Sequence, residues 1–564
     1  MSEPVVLEHD GVIEAPTWFG PGDRPLLGWF TYPRSQRVRG AVVLCQPIAE
    51  EGNMAYRTFR TLAQRLAADG FLSIRFDYDG TGDSAGSFED THRAEAWVAS
   101  VREAVCEARR WGTENVSVIG MRMGATLAYV AAAEGGLDLN DLVLWDPCVT
   151  GRGFLRELQL VHSVFLEGRR TAPSGWVETP SYRFTPEAAS GIRALAVDGR
   201  ASVDDLARRT TVVARVDRPR ATSLLAALPT ETASWIDAGG QAELLDVPTL
   251  HASVPEQTVD TIVARLSASA PEPAVDILPR LQPRARWNED GVELEEEACL
   301  FGPDRLLFGV KTTGIPQHQA GPRIAMFNVA AERHLGEGRT WVRIARALAR
   351  DGATSVRVDH GGVGDSGTRP GHTPDTVYDE GWIDDVRDVV EELSDNRRHE
   401  VIGVGLCSSG TSVLQATVTG ALREAIVVNV VFDTDLNTAL PPAWTLFPRK
   451  PSWLRRFAVR HKRQATLLWK AWGVVDPRRD PMWTTARAVS RGVDLTVVGG
   501  PEDLARMRHS ALWRLVWGRP LSSERRFRVE PAPDADHSLR VSAGQDEVVK
   551  RVSERVRTRL RVRS

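Results

Sequence analysis

Cysteine is scarce in this sequence and unpatterned. Five residues, Cys45, Cys106, Cys148, Cys299 and Cys407, are spread over 564 positions. An odd, scattered set does not make a disulfide framework, so free thiols in a reducing compartment are expected. Long apolar runs are missing as well. No stretch approaches the roughly 18 uninterrupted apolar residues of a membrane-crossing helix. Excess charge of either sign is absent: 70 Lys and Arg stand against 74 Asp and Glu, a formal net charge of −4. That balance offers no bulk electrostatic case for a nucleic-acid partner. The opening residues MSEPVVLEHDGVIEAP show no basic start followed by an apolar run, so no signal peptide is expected and the localisation that follows is cytoplasmic. The histidines are scattered without ligand spacing, and neither a metal nor a cofactor is implied.

What the sequence does have is a copy of itself. RTFRTLAQRLAADGFLSIRFDYDGTGDS begins at Arg57 and RTWVRIARALARDGATSVRVDHGGVGDS at Arg339, a separation of 339 − 57 = 282 positions. Fourteen of the 28 aligned residues are identical, with no gap. WFGPGDRPLLGWF (18–30) is echoed by LFGPDRLLFGV (300–310), and AEAWVASVREAV (94–105) by DEGWIDDVRDVV (379–390). Between the copies lies the proline-rich SASAPEPAVDILPRLQP (267–283), whose composition is that of a linker. The expectation is a domain over 1–270, a linker over 271–285 and a second domain over 286–564.

Within each half, short apolar strands alternate with amphipathic helices. GAVVLCQP (40–47), FLSIRFD (71–77) and VSVIG (116–120) have strand character; residues 56–70 and 93–111 have helical spacing. The order implies an α/β fold: two tandem domains, each with a mostly parallel sheet of about eight strands flanked by helices and carrying a small helical cap. Gly362, Gly364 and Gly367 spell GxGxxG after a strand, but TRPGHTPDT follows instead of a helix opening on a pyrophosphate, so a dinucleotide site is not expected.

Two stretches have the look of a nucleophile elbow, a tight strand-to-helix turn that needs small neighbours. VIGVGLCSSG places Cys407 on the turn, with Gly405 before it and Ser409 after it. VSVIGMRMG places Arg122 there, with Gly120 and Gly124. A nucleophile needs a base, and the base an orienting acid, in the chain order nucleophile, acid, histidine. Asp503 follows Cys407 by 96 residues and His537 follows Asp503 by 34; Asp217 follows Arg122 by 95 and His251 follows Asp217 by 34. Both halves keep acid and histidine at matching places, and only the turn residue differs. Ser408 is the alternative nucleophile and Glu502 the alternative acid.

Here both halves resemble α/β-hydrolases, and they are most similar to hydrolases associated with bacterial exosortase and exopolysaccharide gene clusters. GMRMGA (120–125) resembles the GLRLGA-like elbow of one such group, as do QPIAEEGNMAYR (46–57) and LVLWDPCVTGRGFLREL (142–158). GLCSSG (405–410) resembles the cysteine elbow of the other group, and DGTGDS (79–84) and GGVGDS (361–366) match the loop after the fourth strand. The resemblance implies the α/β-hydrolase fold over nearly the whole chain. It departs at Ser409, where such elbows carry glycine.

The expected activity is hydrolysis or transfer of an ester- or thioester-linked acyl group, small or carrier-bound. Cys407 attacks, His537 moves the proton, Asp503 holds the imidazole, and the oxyanion is met by backbone N–H groups of Ser408 and of Val329 in the loop NVAAERH (328–334). Arg122 cannot be a nucleophile, because guanidinium stays protonated. Either it pairs with Asp217 in a degenerate first site, or it makes an anion site at a helix N-terminus. RKPSWLRRFAVRHKR (449–463), with Trp469 and Trp472 beyond it, reads as a solvated basic helix or as a lid that meets an acyl chain, an acidic carrier or a membrane surface. The rival to an enzyme is a non-catalytic binding or scaffold protein with both sites decayed.

Overall fold

The computed structural model describes residues 5–166, 169–270, 272–273, 275–317, 321–377, 379–431, 481–509 and 525–561. The basic stretch 449–463, Trp469 and Trp472 lie outside the described residues.

Two nine-stranded sheets form the framework, with the same strand order in each. In the first, Leu7–His9, Val12–Phe19, Leu26–Pro33 and Phe71–Phe76 pair antiparallel in succession. Gly40–Cys45, Val116–Met121, Asp141–Trp145, Arg209–Arg215 and Ser234–Ala238 continue it in parallel. In the second, Arg284–Glu289, Val292–Phe301, Leu307–Ile315 and Thr354–Val358 are antiparallel. Arg323–Phe327, Val401–Leu406, Glu424–Val428, Asp494–Gly499 and Phe527–Pro531 follow in parallel. The repeat led to the expectation of a duplicated fold, and the resemblance to that of an α/β-hydrolase sheet; both halves have this mostly parallel architecture.

The central strands are buried on both faces because their side chains alternate between two helical layers. Ala41, Val43 and Cys45 point into one apolar cluster and Val42 and Leu44 into another. Ala325 and Phe327 divide from Ile324 and Met326 in the same way. The helix Glu50–Ala68 buries Phe59, Leu62, Ala63 and Leu66, the i, i+3, i+4, i+7 stripe of an amphipathic helix.

Each sheet has one strand more than expected. The edge strand Arg284–Glu289 escaped notice because its outward residues are charged: Arg284 and Arg286 pair across the strands with Glu297 and Glu295, and only Trp287 is buried. The span 271–285 is also not wholly free of structure. Val275–Asp276 pairs antiparallel with Arg37–Val38, and Ile277, 2% exposed, is anchored in the first domain's core. Two apolar anchors suffice to lay a proline-rich segment along a sheet.

The halves meet through their antiparallel strands and through the loops after Phe71–Phe76 and Thr354–Val358. Trp29 packs on Phe308 with ring centroids 4.7 Å apart, and Trp18 on Trp287 at 5.7 Å. Reciprocal ion pairs cross the junction: Arg75 to Asp365 at 3.3 Å and Arg357 to Asp83 at 2.9 Å. Each arginine also faces a buried glutamate of its own half, Glu14 at 3.7 Å and Glu296 at 3.3 Å. Arg357, Asp365 and Glu296 each stand 282 residues after Arg75, Asp83 and Glu14, so the contact is isologous, like that of a two-fold dimer joined into one chain. A glycine in each of the two loops lets the loop close on an aspartate of its own half. A Cβ at Gly82 would lie 1.9 Å from the Asp77 carboxylate and one at Gly364 2.4 Å from that of Asp359. Of the GxGxxG spelling at 362–367, only Gly364 makes that approach.

Candidate active site

The two elbows share one backbone shape. Cys407 has φ 51 and ψ −107 between Val401–Leu406 and the helix Ser408–Thr419; Arg122 has φ 53 and ψ −123 between Val116–Met121 and Met123–Ala133. A non-glycine residue there is strained by about 1–3 kcal/mol and persists because its surroundings hold it. Gly405 is required: a Cβ on it would fall 2.5 Å from the Ser409 backbone. The Ser409 departure has a physical answer. In the first elbow, a Cβ at Gly124 would lie 2.2 Å from the Cys45 carbonyl oxygen. In the second, the Ser409 hydroxyl instead donates at 3.1 Å to the carbonyl of Phe327, 282 residues after Cys45, and accepts the Leu406 N–H at 3.0 Å. The turn is kept with a hydrogen bond in place of van der Waals closeness.

Cys407, His537 and Asp503 are brought together. Cys407 Sγ lies 3.4 Å from His537 Nε2, and His537 Nδ1 lies 2.9 Å from Asp503 Oδ1. Asp503 is 4% exposed. Glu502 is exposed and faces Arg169 of the first domain at 3.3 Å, away from the imidazole. Ser408 is buried, and its hydroxyl accepts the Ala330 N–H at 2.8 Å; it does not meet His537. Burial acts to lower the His537 pKa, but the Asp503 hydrogen bond and the Cys407 sulfur outweigh it, raising it to about 10. The imidazole therefore carries its proton at neutral pH.

Asn429 and Asn328 escaped the reading of the sequence, and both shape the site. Asn429, 1% exposed, donates to the carbonyls of Asp536 and His537, each at 2.9 Å, and accepts the Gly500 N–H at 3.0 Å. It ties the histidine loop to the start of the helix Pro501–His509, which carries Asp503. The available signal was a lone amide within the apolar run AIVVNVVF (425–432). Asn328 accepts the His360 N–H at 2.8 Å and donates to the Glu332 carbonyl at 2.8 Å, folding the 328–334 loop back on itself. Val329 is half-buried in this loop and packs against the same apolar cluster as Cys407. Ser408 is the first helical residue, so its N–H has no intrahelical acceptor. Asn429→Ala should lower the unfolding free energy by about 1–3 kcal/mol through lost buried hydrogen bonds, measured by urea denaturation.

In the first domain the expected trio does not assemble. Arg122 bonds Glu51 at 2.9 Å and Glu157 at 2.6 Å and faces Asp146 at 3.6 Å. Asp217 pairs with Arg215 at 2.6 Å, and His251 is exposed on a short turn with no side-chain bond to Arg122 or Asp217 among the described residues. Both earlier readings of Arg122 are corrected: it neither bonds Asp217 nor opens on an anion site, because three carboxylates surround it. Glu51, at the start of its helix, reaches the elbow first. Burial pushes the Glu51 carboxyl up, and raises that of Asp146 to about 6 despite Arg122 and Arg215.

Two further histidine clusters are buried. Ser412, His360 and Asp385 repeat the order of a triad, with Ser412 Oγ 3.2 Å from His360 Nε2 and His360 Nδ1 3.2 Å from Asp385 Oδ2. His360 is stacked between Phe327 and Trp382, and all three polar residues are at most 4% exposed, so the cluster braces the core beneath the elbow. At the domain junction, His334 lies 2.7 Å from Asp83 and 3.0 Å from Asp359. His334, Asp359 and Asp365 are grouped closely enough to hold a metal ion. Burial opposes the charge on His334, but the two aspartates raise its pKa to about 10. Both ring nitrogens are engaged by carboxylates, one from each half, so the group reads as an ionic bridge.

Residues 36–186 match the family described as serine aminopeptidase, S33; the match covers the Arg122 elbow and stops before Cys407. No curated protein matches the chain. Among solved structures, Est1E from Butyrivibrio proteoclasticus with ferulic acid bound is 14% identical over 45% of this chain and 98% of its own, with a TM-score of 0.34. An esterase from Pyrococcus furiosus is 13% identical over 47% of this chain and 91% of its own, with a TM-score of 0.31. Dienelactone hydrolase from Anabaena variabilis is 13% identical over 47% of this chain and 98% of its own, at 0.29. No helix among the described residues is long and apolar enough to cross a membrane.

Proposed function

We propose that the second domain is an acyl-transferring hydrolase whose nucleophile is Cys407 and that the first domain carries no nucleophile. The observation that supports this reading most is the Cys407–His537–Asp503 chain of contacts, 3.4 Å and 2.9 Å, on a strained elbow. Cys407 attacks an ester or thioester carbonyl as the thiolate, the nucleophilic form of the residue. Its proton is held on His537. A C–S bond forms, and the tetrahedral oxyanion faces the N–H of Ser408 and that of Val329. On collapse, the bond to the leaving group breaks and His537 Nε2 gives that group its proton. Water or an acceptor alcohol, amine or thiol then attacks the acyl-cysteine, passing its proton to His537, and the sulfur leaves. Asp503 keeps the imidazole in the tautomer and orientation both steps need. The substrate class is an activated acyl group, small or carrier-borne, and the site of action is cytoplasmic.

The test is covalent capture. Incubation with a p-nitrophenyl ester or an acyl thioester, followed by intact-mass and peptide mapping, should place one acyl group on the peptide containing Cys407. An adduct on Ser408, or none on either residue with the protein folded, would overturn the assignment and favour the non-catalytic reading.

A further inference from the structure

The loop that faces Cys407 is held from outside its own domain. Arg333 reaches across the junction and donates to both oxygens of Asp77, at 2.8 and 3.3 Å. The His334 ring bridges Asp83 of the first domain and Asp359 of the second, and the His334 backbone N–H donates to Asp359. Arg339 donates to the carbonyls of Gly80, Gly82, Ser84 and Gly86, at 2.6 to 2.9 Å. Glu337 bonds Ser181 of the first domain. At the inner end, Ala330 sits at φ 47 with its N–H on Ser408, a backbone state that lasts only where surrounding bonds over-determine it. The histidine loop is held from the same side: the Ser181 N–H donates to the Arg540 carbonyl at 2.8 Å, and Gln545 donates to the Ser181 carbonyl at 2.9 Å.

The first domain's matching segment crosses the junction too, Glu50 bonding Arg540, Tyr56 bonding Asp365 and Arg57 pairing with Asp375 at 2.8 Å, but it does so from other positions. The positions 282 residues before Arg333 and His334 are Glu51 and Gly52, and Glu51 turns inward to Arg122 of its own elbow. The repeat has diverged at these two positions, whose side chains cross the junction in the second domain and not in the first.

We propose that the first domain is a built-in positioning partner for the Cys407 site, its Asp77 and Asp83 carboxylates holding the 328–337 loop so that its N–H groups meet the acyl oxyanion. Asp77 and Asp83 are positioning residues, acting through Arg333 and His334, and touch no substrate. The inference rests on the acyl-transfer reading above. It gives the domain without a nucleophile a function that selection can maintain: oxyanion geometry in its neighbour.

Two reactions of the same sulfur separate this role from general support. Acylation by a p-nitrophenyl ester passes through an oxyanion; alkylation by iodoacetamide does not. In the full chain, Asp77→Asn is close to isosteric and keeps an acceptor for the Asp83 N–H, which now bonds Asp77 at 3.1 Å. Asp83→Asn removes the charge facing His334 and Arg357. Each variant should acylate about 10- to 100-fold more slowly, while alkylation of Cys407 stays within about twofold of wild type. Equal acylation in wild type and Asp77→Asn overturns the proposal. So does a parallel fall of both reactions, which would mark a merely structural role. Should Asp83→Asn fail to fold, Asp77→Asn decides alone. A wild-type protein that is alkylated but never acylated at Cys407 overturns the acyl-transfer reading itself, a result distinct from either.

Discussion

Cys407→Ala should abolish acyl transfer, cutting nitrophenolate release from an activated ester by about 10⁴-fold or more, toward the level that binding and the oxyanion donors alone supply. The expectation follows from the elbow: no other thiol or hydroxyl stands within bonding reach of His537 among the described residues, and Ser408 is turned toward Ala330. Ser408→Ala should therefore keep release within about tenfold of wild type, since it removes a bond to the loop and no reacting atom. The reverse ranking, with Ser408→Ala inactive and Cys407→Ala active, would transfer the nucleophile to Ser408. The pH profile carries a second signature. The His537 pKa is raised to about 10, so its proton is present through neutral pH and is lost as pH rises through about 10. Activity that depends on that imidazolium as proton donor should fall on the alkaline side in that window. An alkaline limb near pH 7 would contradict the proton placement.

Arg122→Ala should destabilise the first domain by about 3–5 kcal/mol, the usual result of removing one partner from a buried ionic cluster. Glu51, Asp146 and Glu157 all face this guanidinium. One oxygen each of Glu51 and Asp146 is already buried without a hydrogen bond among the described residues. The loss should depend on pH, with a sign set by linkage. The folded-state pKa of Asp146 is raised from 3.8 to about 6 and that of Glu51 is raised also. A raised carboxyl favours the folded state at low pH, and that contribution is lost as pH rises through the folded pKa. Without Arg122 both carboxyls move up further. The variant should then lie closer to wild type at pH 5 than at pH 8 in chemical denaturation. A pH-independent difference, or none, would show that the cluster is not what holds this elbow.

The chain order of the site was legible because covalent spacing carries it. A glycine, a strained turn residue and a small residue between a strand and a helix mark an elbow whatever surrounds it, and the repeat marked its counterpart. The contacts joining Cys407, His537 and Asp503 link residues 130 and 34 positions apart, yet the fold's fixed strand order makes those separations meaningful. The Arg122 partners were not legible. Spacing pointed to Asp217, but three carboxylates from two helices and a loop lay nearer, and the competition among charges for one guanidinium is settled by distance in space.

By itself the sequence determined the duplication, the α/β layering and the places of the two elbows. Apolar periodicity, turn chemistry and self-similarity are local or translational properties, written along the chain. Only the tertiary structure decided that the two halves face each other across an isologous junction and that Arg333 and His334 cross it. It also decided that Asn429 and Asn328 brace the loops around Cys407, and that Ser409 replaces a glycine by donating to a carbonyl. Each of these depends on a few ångströms between groups far apart in sequence. Burial at the junction removes the water that would otherwise screen the charges, so their partners there are chosen by geometry alone.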